Sequence, residues 1–314
     1  MSPARSSRAI VSLALGPRRW RSEAACFSGG EVPCLPDELI YDDANIIYTP
    51  EFYQTHEEIA LLQRYGSEIA KDQIAEGAVL INIGAGDLNK ANYLLEELRR
   101  RGRKVTYLAL DISKRSLTTN LCDYAPGDKG VSVYMAGLWG DFRAGVAFAA
   151  TVTQKPRVFL SLGSVLFNDP WQKAVGSLRD LILAGMDGHD VHSSKVWAAY
   201  HSRPDLFEEF FHNGFLHANK LLGEDVFHPG DWDIRAEIET EEKRHRFFLQ
   251  ARRDIVSEVE GRIKKKGLAI DWFDADKRSE EDVRSMCAEA GLEVVQLWAC
   301  KDSDMRQYLI GPGA

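Results

Sequence analysis

Four residues carry the clearest chemistry in this chain: Gly84, Gly86, Lys90 and Asp111. The two glycines end an apolar run, Ala78 to Ile83, and let the backbone approach a ligand where a Cβ would clash. Asp111 ends a second apolar run, Val105 to Leu110, and can accept hydrogen bonds from both hydroxyls of a ribose. Asn89 and Lys90 stand where a dinucleotide fingerprint would place its third glycine, the one that lets a helix pack beneath a pyrophosphate. The pattern therefore favours a nucleoside without phosphates, such as S-adenosylmethionine (SAM).

The elements that position these residues follow from periodicity. Leu94, Leu95 and Leu98 lie on one face of an amphipathic helix between the two runs. Strand, glycine turn, helix, strand and acid make half of a nucleotide-binding α/β unit. Val131 to Ala136, Arg157 to Leu162 and Leu181 to Met186 are short and apolar, like buried parallel strands. Gln172 to Leu183 and Glu280 to Ala290 read as helices, the second stopped by Gly291. Glu293 to Ala299 and Arg306 to Ile310 read as a closing pair of strands. From Lys195 to about Phe273 the chain is rich in aromatics and histidine, and its periodicity fits no strand-helix alternation. It reads as an inserted α+β subdomain in a Rossmann-like α/β core.

With 314 residues the chain holds one large α/β domain plus an insertion, or two modest domains. A net charge of −8 argues against wholesale nucleic-acid binding. No apolar run approaches the roughly 20 residues of a membrane span. The five cysteines show no CxxC spacing, which argues against a disulfide scaffold or zinc site and for a reducing compartment. The first 30 residues are rich in arginine and serine, with Glu23 as their single acid. They read as a disordered tail, which leaves the protein cytoplasmic, or as a mitochondrial presequence. The histidines offer no third ligand of matching spacing, so no metal is expected.

Longer motifs carry a resemblance: LPDELIYDD (35–43), TPEFYQTHEEIAL (49–61), INIGAGDLNK (81–90), YLALDISKRSL (107–117), LSLGSVLFNDPW (160–171), GMDGHD (185–190), KVWAAYHSRPDL (195–206), NGFLHANKLLG (213–223), RHRFFLQAR (244–252), DWFDADK (271–277) and RQYL (306–309). In this order they resemble the SAM-dependent amino-acid N-methyltransferases related to the histidine methyltransferase of ergothioneine biosynthesis. Within that group the chain looks closest to the fungal branch with 4-dimethylallyltryptophan N-methyltransferases of ergot-alkaloid pathways. The resemblance implies a SAM methyltransferase core (61–199 and 280–314) and a substrate-binding subdomain (31–60 and 200–279).

It also implies roles. Gly84, Gly86 and Lys90 fall in the turn holding the methionine part of SAM, and Asp111 on the ribose acid. Leu138 and Trp139 stand near adenine, where many relatives have an acid; Leu138 is assigned to the cofactor. Gly163 and Asn168 belong to the turn whose asparagine contacts the substrate amino acid. Tyr200 falls on the tyrosine that binds the substrate carboxylate, and Tyr41 on another lining the pocket. Asn168 and Tyr200 would orient the amine toward the methyl. Where histidine-specific members carry a tyrosine near the imidazole, this chain has Phe52. Their imidazole-binding glutamate and serine fall on Phe273 and Ala275, and their methionine on Phe247. An imidazole buried there would leave its nitrogens unpaired, at about 1–3 kcal/mol per group. A large aromatic would gain from ring packing. The expected substrate is thus a small-molecule amino acid of tryptophan type, with SAM as cofactor. Histidine is the alternative, and so is a catalytically degenerate paralogue. The latter reading comes from the segment after Asp43, several residues shorter than in the family. Oligomeric state is not legible.

Overall fold

A computed structural model describes residues 10–13, 33–35, 38–41, 52–86, 88–123, 132–154, 156–168, 171–176, 179–259 and 261–313. In chain order these residues form β1 (Ile10–Ser12), α1 (Glu38–Tyr41), α2 (Tyr53–Asp72), β2 (Val79–Ile83), α3 (Asn89–Arg100), β3 (Val105–Asp111), α4 (Lys114–Asp123), β4 (Val133–Trp139), α5 (Phe142–Thr151), β5 (Arg157–Ser161), α6 (Trp171–Gly176) and β6 (Leu181–Asp187). There follow α7 (Ser194–His201), α8 (Pro204–Leu222), β7 (Trp232–Glu239), β8 (Arg244–Ala251), β9 (Ile255–Ser257), β10 (Arg262–Lys264), β11 (Ala269–Asp276), α9 (Glu280–Glu289), β12 (Leu292–Ala299) and β13 (Met305–Pro312).

The chain divides into two compact units. The first comprises residues 1–16, 54–188 and 278–314, the second 17–53 and 189–277. The first unit is built on an eight-stranded sheet of order β1-β4-β3-β2-β5-β6-β13-β12. Its strands run parallel from β1 to β6, while β13 enters antiparallel to both β6 and β12. Strand order reverses between β2 and β5, the position where open α/β sheets hold ligands beyond their carboxyl ends. Every residue of β2 and β5 is buried, as apolar strands covered on both faces must be. Side chains alternate between the two faces. Leu80, Leu160, Leu183 and Leu309 join one core, and Val79, Phe159, Ile182 and Ile310 the other. The helix α3 buries Leu94, Leu95 and Leu98, the stripe its sequence marked.

Two sequence expectations are corrected here. The helix expected over Gln172–Leu183 is only α6, Trp171–Gly176; the apolar run from Leu181, which the sequence also read as a strand, is strand β6. Between them Arg179 takes a left-handed φ of 52° and the carboxylate of Asp180 pairs with Arg157 at 2.7 Å, both buried, which stops the helix from running on. The first 30 residues, expected to form a disordered or targeting tail, include β1, which pairs in parallel with β4, and Leu13 is buried beyond it. The apolar run around Ile10 to Leu13 outweighs its arginine-rich surroundings.

The second unit is a three-stranded antiparallel sheet, β11-β8-β7, with helices α1, α7 and α8 and a β9–β10 hairpin. Helix α8 starts at Pro204 and ends at Gly223, whose φ is 72°. Phe207, Phe210, Phe211 and Phe215 recur at helical spacing on its buried face and join Phe247, Leu249 and Trp272 in one core.

Candidate active site

The sequence-marked residues fall into two groups, one in each unit. In the first unit, Gly84 and Gly86 both have left-handed φ, 67° and 54°. At Gly84 it is this backbone conformation that disfavours a side chain, for a Cβ there would stand 3.4 Å from the Phe142 ring, an ordinary contact. The Asp111 carboxylate closes the turn. Its Oδ2 accepts from the Gly86 N–H at 2.9 Å and its Oδ1 from the Ser113 N–H at 2.8 Å. The Gly86 carbonyl in turn accepts from the Asn120 amide. A carboxylate so fixed by amides keeps lone pairs for ribose hydroxyls without reorganising.

Leu138 points elsewhere. It pairs in register with Leu110 and is buried in the core, while Trp139 pairs with Asp111 and shares its face of the sheet. The Trp139 indole donates to the Ile112 carbonyl at 2.9 Å, and the Lys114 ammonium lies 5.1 Å from its ring centre. Trp139, rather than Leu138, therefore stands beside Asp111; strand alternation decides between two neighbours that a motif cannot separate.

Gly163 follows β5 with φ 106°, and Ser164, at φ 65°, accepts the Asp187 N–H through its hydroxyl at 3.0 Å. This holds the loop against the end of β6. In the same loop Asn168 donates its backbone N–H to Val165, and its buried Oδ1 has no hydrogen-bond partner among the described residues. Lys90 reaches back beneath Gly163, with Nζ 3.0 Å from where a Cβ would stand. It pairs there with the fully buried Glu58 at 2.9 Å. Sequence reasoning missed Glu58.

In the second unit, Phe52, Tyr200, Phe247 and Phe273 come together. Tyr200 lies edge-on to Phe52 at 5.5 Å between ring centres, and 5.3 Å and 6.5 Å from Phe247 and Phe273. Phe247 and Phe273 face each other across β8 and β11 at 5.5 Å. Ala275 is two residues along β11, opposite His245. The side chain of Tyr41, at the end of α1, lies outside the described ones, as does the short segment after Asp43.

His245 is the second residue that the sequence did not single out. It is fully buried, Nε2 to Nε2 with His201 at 3.1 Å, and its Nδ1 has no partner among the described residues. Burial pushes its pKa down to about 3, with His201 and Lys277 adding to the fall, so it is neutral. Trp197 stacks on His201 at 3.8 Å, and Tyr200 meets His245 edge-on at 5.1 Å. Its alternation with Phe247 in RHRFFLQAR was the available signal.

Residues 28–312 match the histidine-specific, SAM-dependent methyltransferase family. The chain belongs to this family. It is 31% identical to ergothioneine biosynthesis protein 1 of Neurospora crassa, a match covering 84% of this chain but 32% of that protein. It therefore spans about a third of the Neurospora protein's length. It is also 31% identical to N-methyltransferase dtpB of Aspergillus flavus, over 88% of this chain and 84% of that one. The 4-dimethylallyltryptophan N-methyltransferase easF of Arthroderma benhamiae is 28% identical over 87% and 88% of the two chains. The family is one of SAM-dependent methyltransferases, and the relatives dtpB and easF are named as N-methyltransferases. The two-glycine turn, its carboxylate bracket and the absence of a phosphate-type third glycine fit SAM. Among the described residues, no helix is long and apolar enough to cross a membrane.

Proposed function

We propose that this enzyme methylates the α-amino nitrogen of a tryptophan-like amino acid, tryptophan or 4-dimethylallyltryptophan, in indole-alkaloid metabolism. One observation carries the reading: Phe52, Tyr200, Phe247 and Phe273 form a single buried aromatic cluster with Ala275 beside it. Such a surface suits a large ring by area and by edge-to-face packing, worth about 0.5–1.5 kcal/mol per ring pair beyond burial. The relatives named for N-methylation, dtpB and easF, support the reaction type, and easF the substrate class.

SAM supplies an activated methyl on a sulfonium, a leaving group that needs no acid. The protein's task is then to bind, orient and desolvate a neutral amine. Gly84, Gly86 and Asp111 hold the nucleoside. On the family resemblance Asn168, whose Oδ1 has no hydrogen-bond partner among the described residues, and Tyr200 are each assigned to the amino-acid substrate, which must present its lone pair to the methyl. No general base is assigned, and the ammonium proton leaves to solvent before reaction.

Histidine is the second reading, favoured by the family's description and by the His201–His245 pair beside the aromatic cluster. The test is a mass-spectrometric screen with SAM and equal concentrations of tryptophan, 4-dimethylallyltryptophan, tyrosine and histidine. The indoles are expected to gain methyl groups fastest. Faster turnover of histidine than of either indole would sink the proposal, and no turnover with intact SAM binding would identify a non-catalytic paralogue.

A further inference from the structure

Helix α2 carries a polar row on a face that is otherwise apolar. Gln54 and Glu58, one turn apart, point into the first unit, as do Leu61 and Leu62 beyond them. The Gln54 amide donates to the Asp187 carboxylate at 2.6 Å, and both groups are buried. Glu58 is fully buried against Gly185 of β6; a Cβ on that glycine would stand 1.7 Å from Glu58 Oε1. Any other residue at position 185 would displace the carboxylate. Glu58 Oε2 takes the Lys90 ammonium at 2.9 Å, but Oε1 has no hydrogen-bond donor among the described residues.

A second orphan adjoins it. Gln307 of β13 pairs with Gly185 in register and so shares its face of the sheet, is fully buried, and has no partner among the described residues for either its amide nitrogen or its oxygen. Buried polar groups are nearly always hydrogen-bonded, so orphans grouped beside an ion pair point to a missing polar occupant.

Position says which occupant. Along the sheet the order β3, β2, β5, β6 brings Asp111, the Gly84 turn, Gly163 with Lys90, and Gly185 with Glu58 in succession. Asp111 and the Gly163 turn are two strand spacings apart, roughly 10 Å. A nucleoside whose ribose meets Asp111 thus extends its 5′ substituent toward Lys90 and Glu58. In SAM that substituent ends in an amino acid, with one carboxylate and one ammonium.

We propose that Glu58 Oε1 takes the α-ammonium of this zwitterion, beside Lys90, which the family resemblance already places at the methionine part of SAM and whose ammonium is left to meet the α-carboxylate. Glu58 becomes a cofactor-binding residue contributed by a helix outside the glycine turn. The inference rests on the SAM reading of that turn and goes beyond it. The arrangement also accounts for two glycines: Gly163 leaves room for the ammonium of Lys90, and Gly185 for the carboxylate of Glu58.

The test is calorimetric titration of the full chain with three ligands that share one nucleoside. S-adenosylhomocysteine carries both charged groups, decarboxylated SAM only the ammonium, and methylthioadenosine neither. Glu58→Gln, close to isosteric, is expected to weaken the first two by about tenfold or more and to leave methylthioadenosine unchanged. Lys90→Met should weaken S-adenosylhomocysteine alone, since decarboxylated SAM has no carboxylate to lose. Unchanged S-adenosylhomocysteine binding in Glu58→Gln overturns the proposal. So does a parallel loss for all three ligands, the signature of a merely structural ion pair. If the unmodified protein binds none of them, the SAM reading of the turn fails and takes this proposal with it; if it binds them and only Glu58→Gln is silent, the turn stands and Glu58 alone is misassigned.

Discussion

The Asp111 carboxylate accepts the backbone N–H of Gly86 at 2.9 Å, tying the end of β3 to the turn after β2. The acid thus shapes the glycine turn, and the proposed SAM site gives it a ribose to meet as well. Replacing Asp111 by Ala removes a charged acceptor, and hydrogen bonds to charged groups contribute about 1.5–3 kcal/mol each. Affinity for S-adenosylhomocysteine is expected to fall at least tenfold, and methylthioadenosine should fall with it, because both present the same ribose. Calorimetry on a variant with native circular dichroism checks this. Affinity equal to the parent's would remove Asp111 from the site.

Asn168→Ala and Tyr200→Phe are expected to behave differently. Asn168 offers a buried oxygen with no partner among the described residues, and Tyr200 sits in the aromatic cluster of the second unit. Both should lower kcat/KM for the amino acid by roughly ten- to a hundredfold, with SAM affinity nearly intact. A matching loss of SAM binding would show that these residues serve the cofactor instead.

The buried imidazole of His245 predicts a pH dependence of stability. Folding depresses its pKa from the ordinary range to about 3 through burial first, and then through His201 and Lys277. Between these values the unfolded chain binds a proton that the folded one does not, so stability falls as the pH drops below about 6.5. Burial lowers the pKa of His201 in the same direction. Asp274 acts oppositely: burial raises it to about 6, so acid favours its folded form. Replacing His245 with Leu should therefore shrink the loss of unfolding free energy between pH 7 and pH 5 by on the order of 2 kcal/mol. Denaturant titrations at the two pH values measure it. The same loss in parent and variant would refute the assignment.

What was legible in the sequence follows from what local pattern encodes. The run from Ala78 to Asp111 alternates strand, turn and helix with unbroken periodicity, and β2, α3 and β3 lie where it placed them. The expected helix over Gln172–Leu183 failed because the apolar residues of Leu181–Asp187 suit either element, and the choice is made by neighbours β5 and β13. Glu58 was invisible for a different reason. In THEEIAL it resembles its neighbour Glu57, which bonds the Ser303 hydroxyl in a half-buried setting, and only Gly185, far along the chain, makes Glu58 special. Leu138 and Trp139 are adjacent in any motif, yet the pleat sends them to opposite faces.

Substrate choice gives the sharpest test of the aromatic cluster. Phe273 and Ala275 lie two residues apart on β11 and so project from the same face, opposite Phe247 and His245 of β8. Both are buried, at 6% exposure. The paired change Phe273→Glu with Ala275→Ser restores the polar pair that the histidine-specific pattern carries. A carboxylate in this apolar setting is costly unless a hydrogen-bonding ligand meets it. An indole has no group to offer in place of the imidazole nitrogens, so its kcat/KM should fall by about tenfold or more, while that of histidine rises. A single-site control, Ala275→Ser alone, should move the ratio little, because it adds no charge. The ratio of tryptophan to histidine turnover is the quantity to measure, since it is insensitive to any loss of folded enzyme common to both substrates. A double variant that folds and keeps the parent's ratio would show that Phe273 and Ala275 do not face the substrate ring, and the specificity argument built on them would fall.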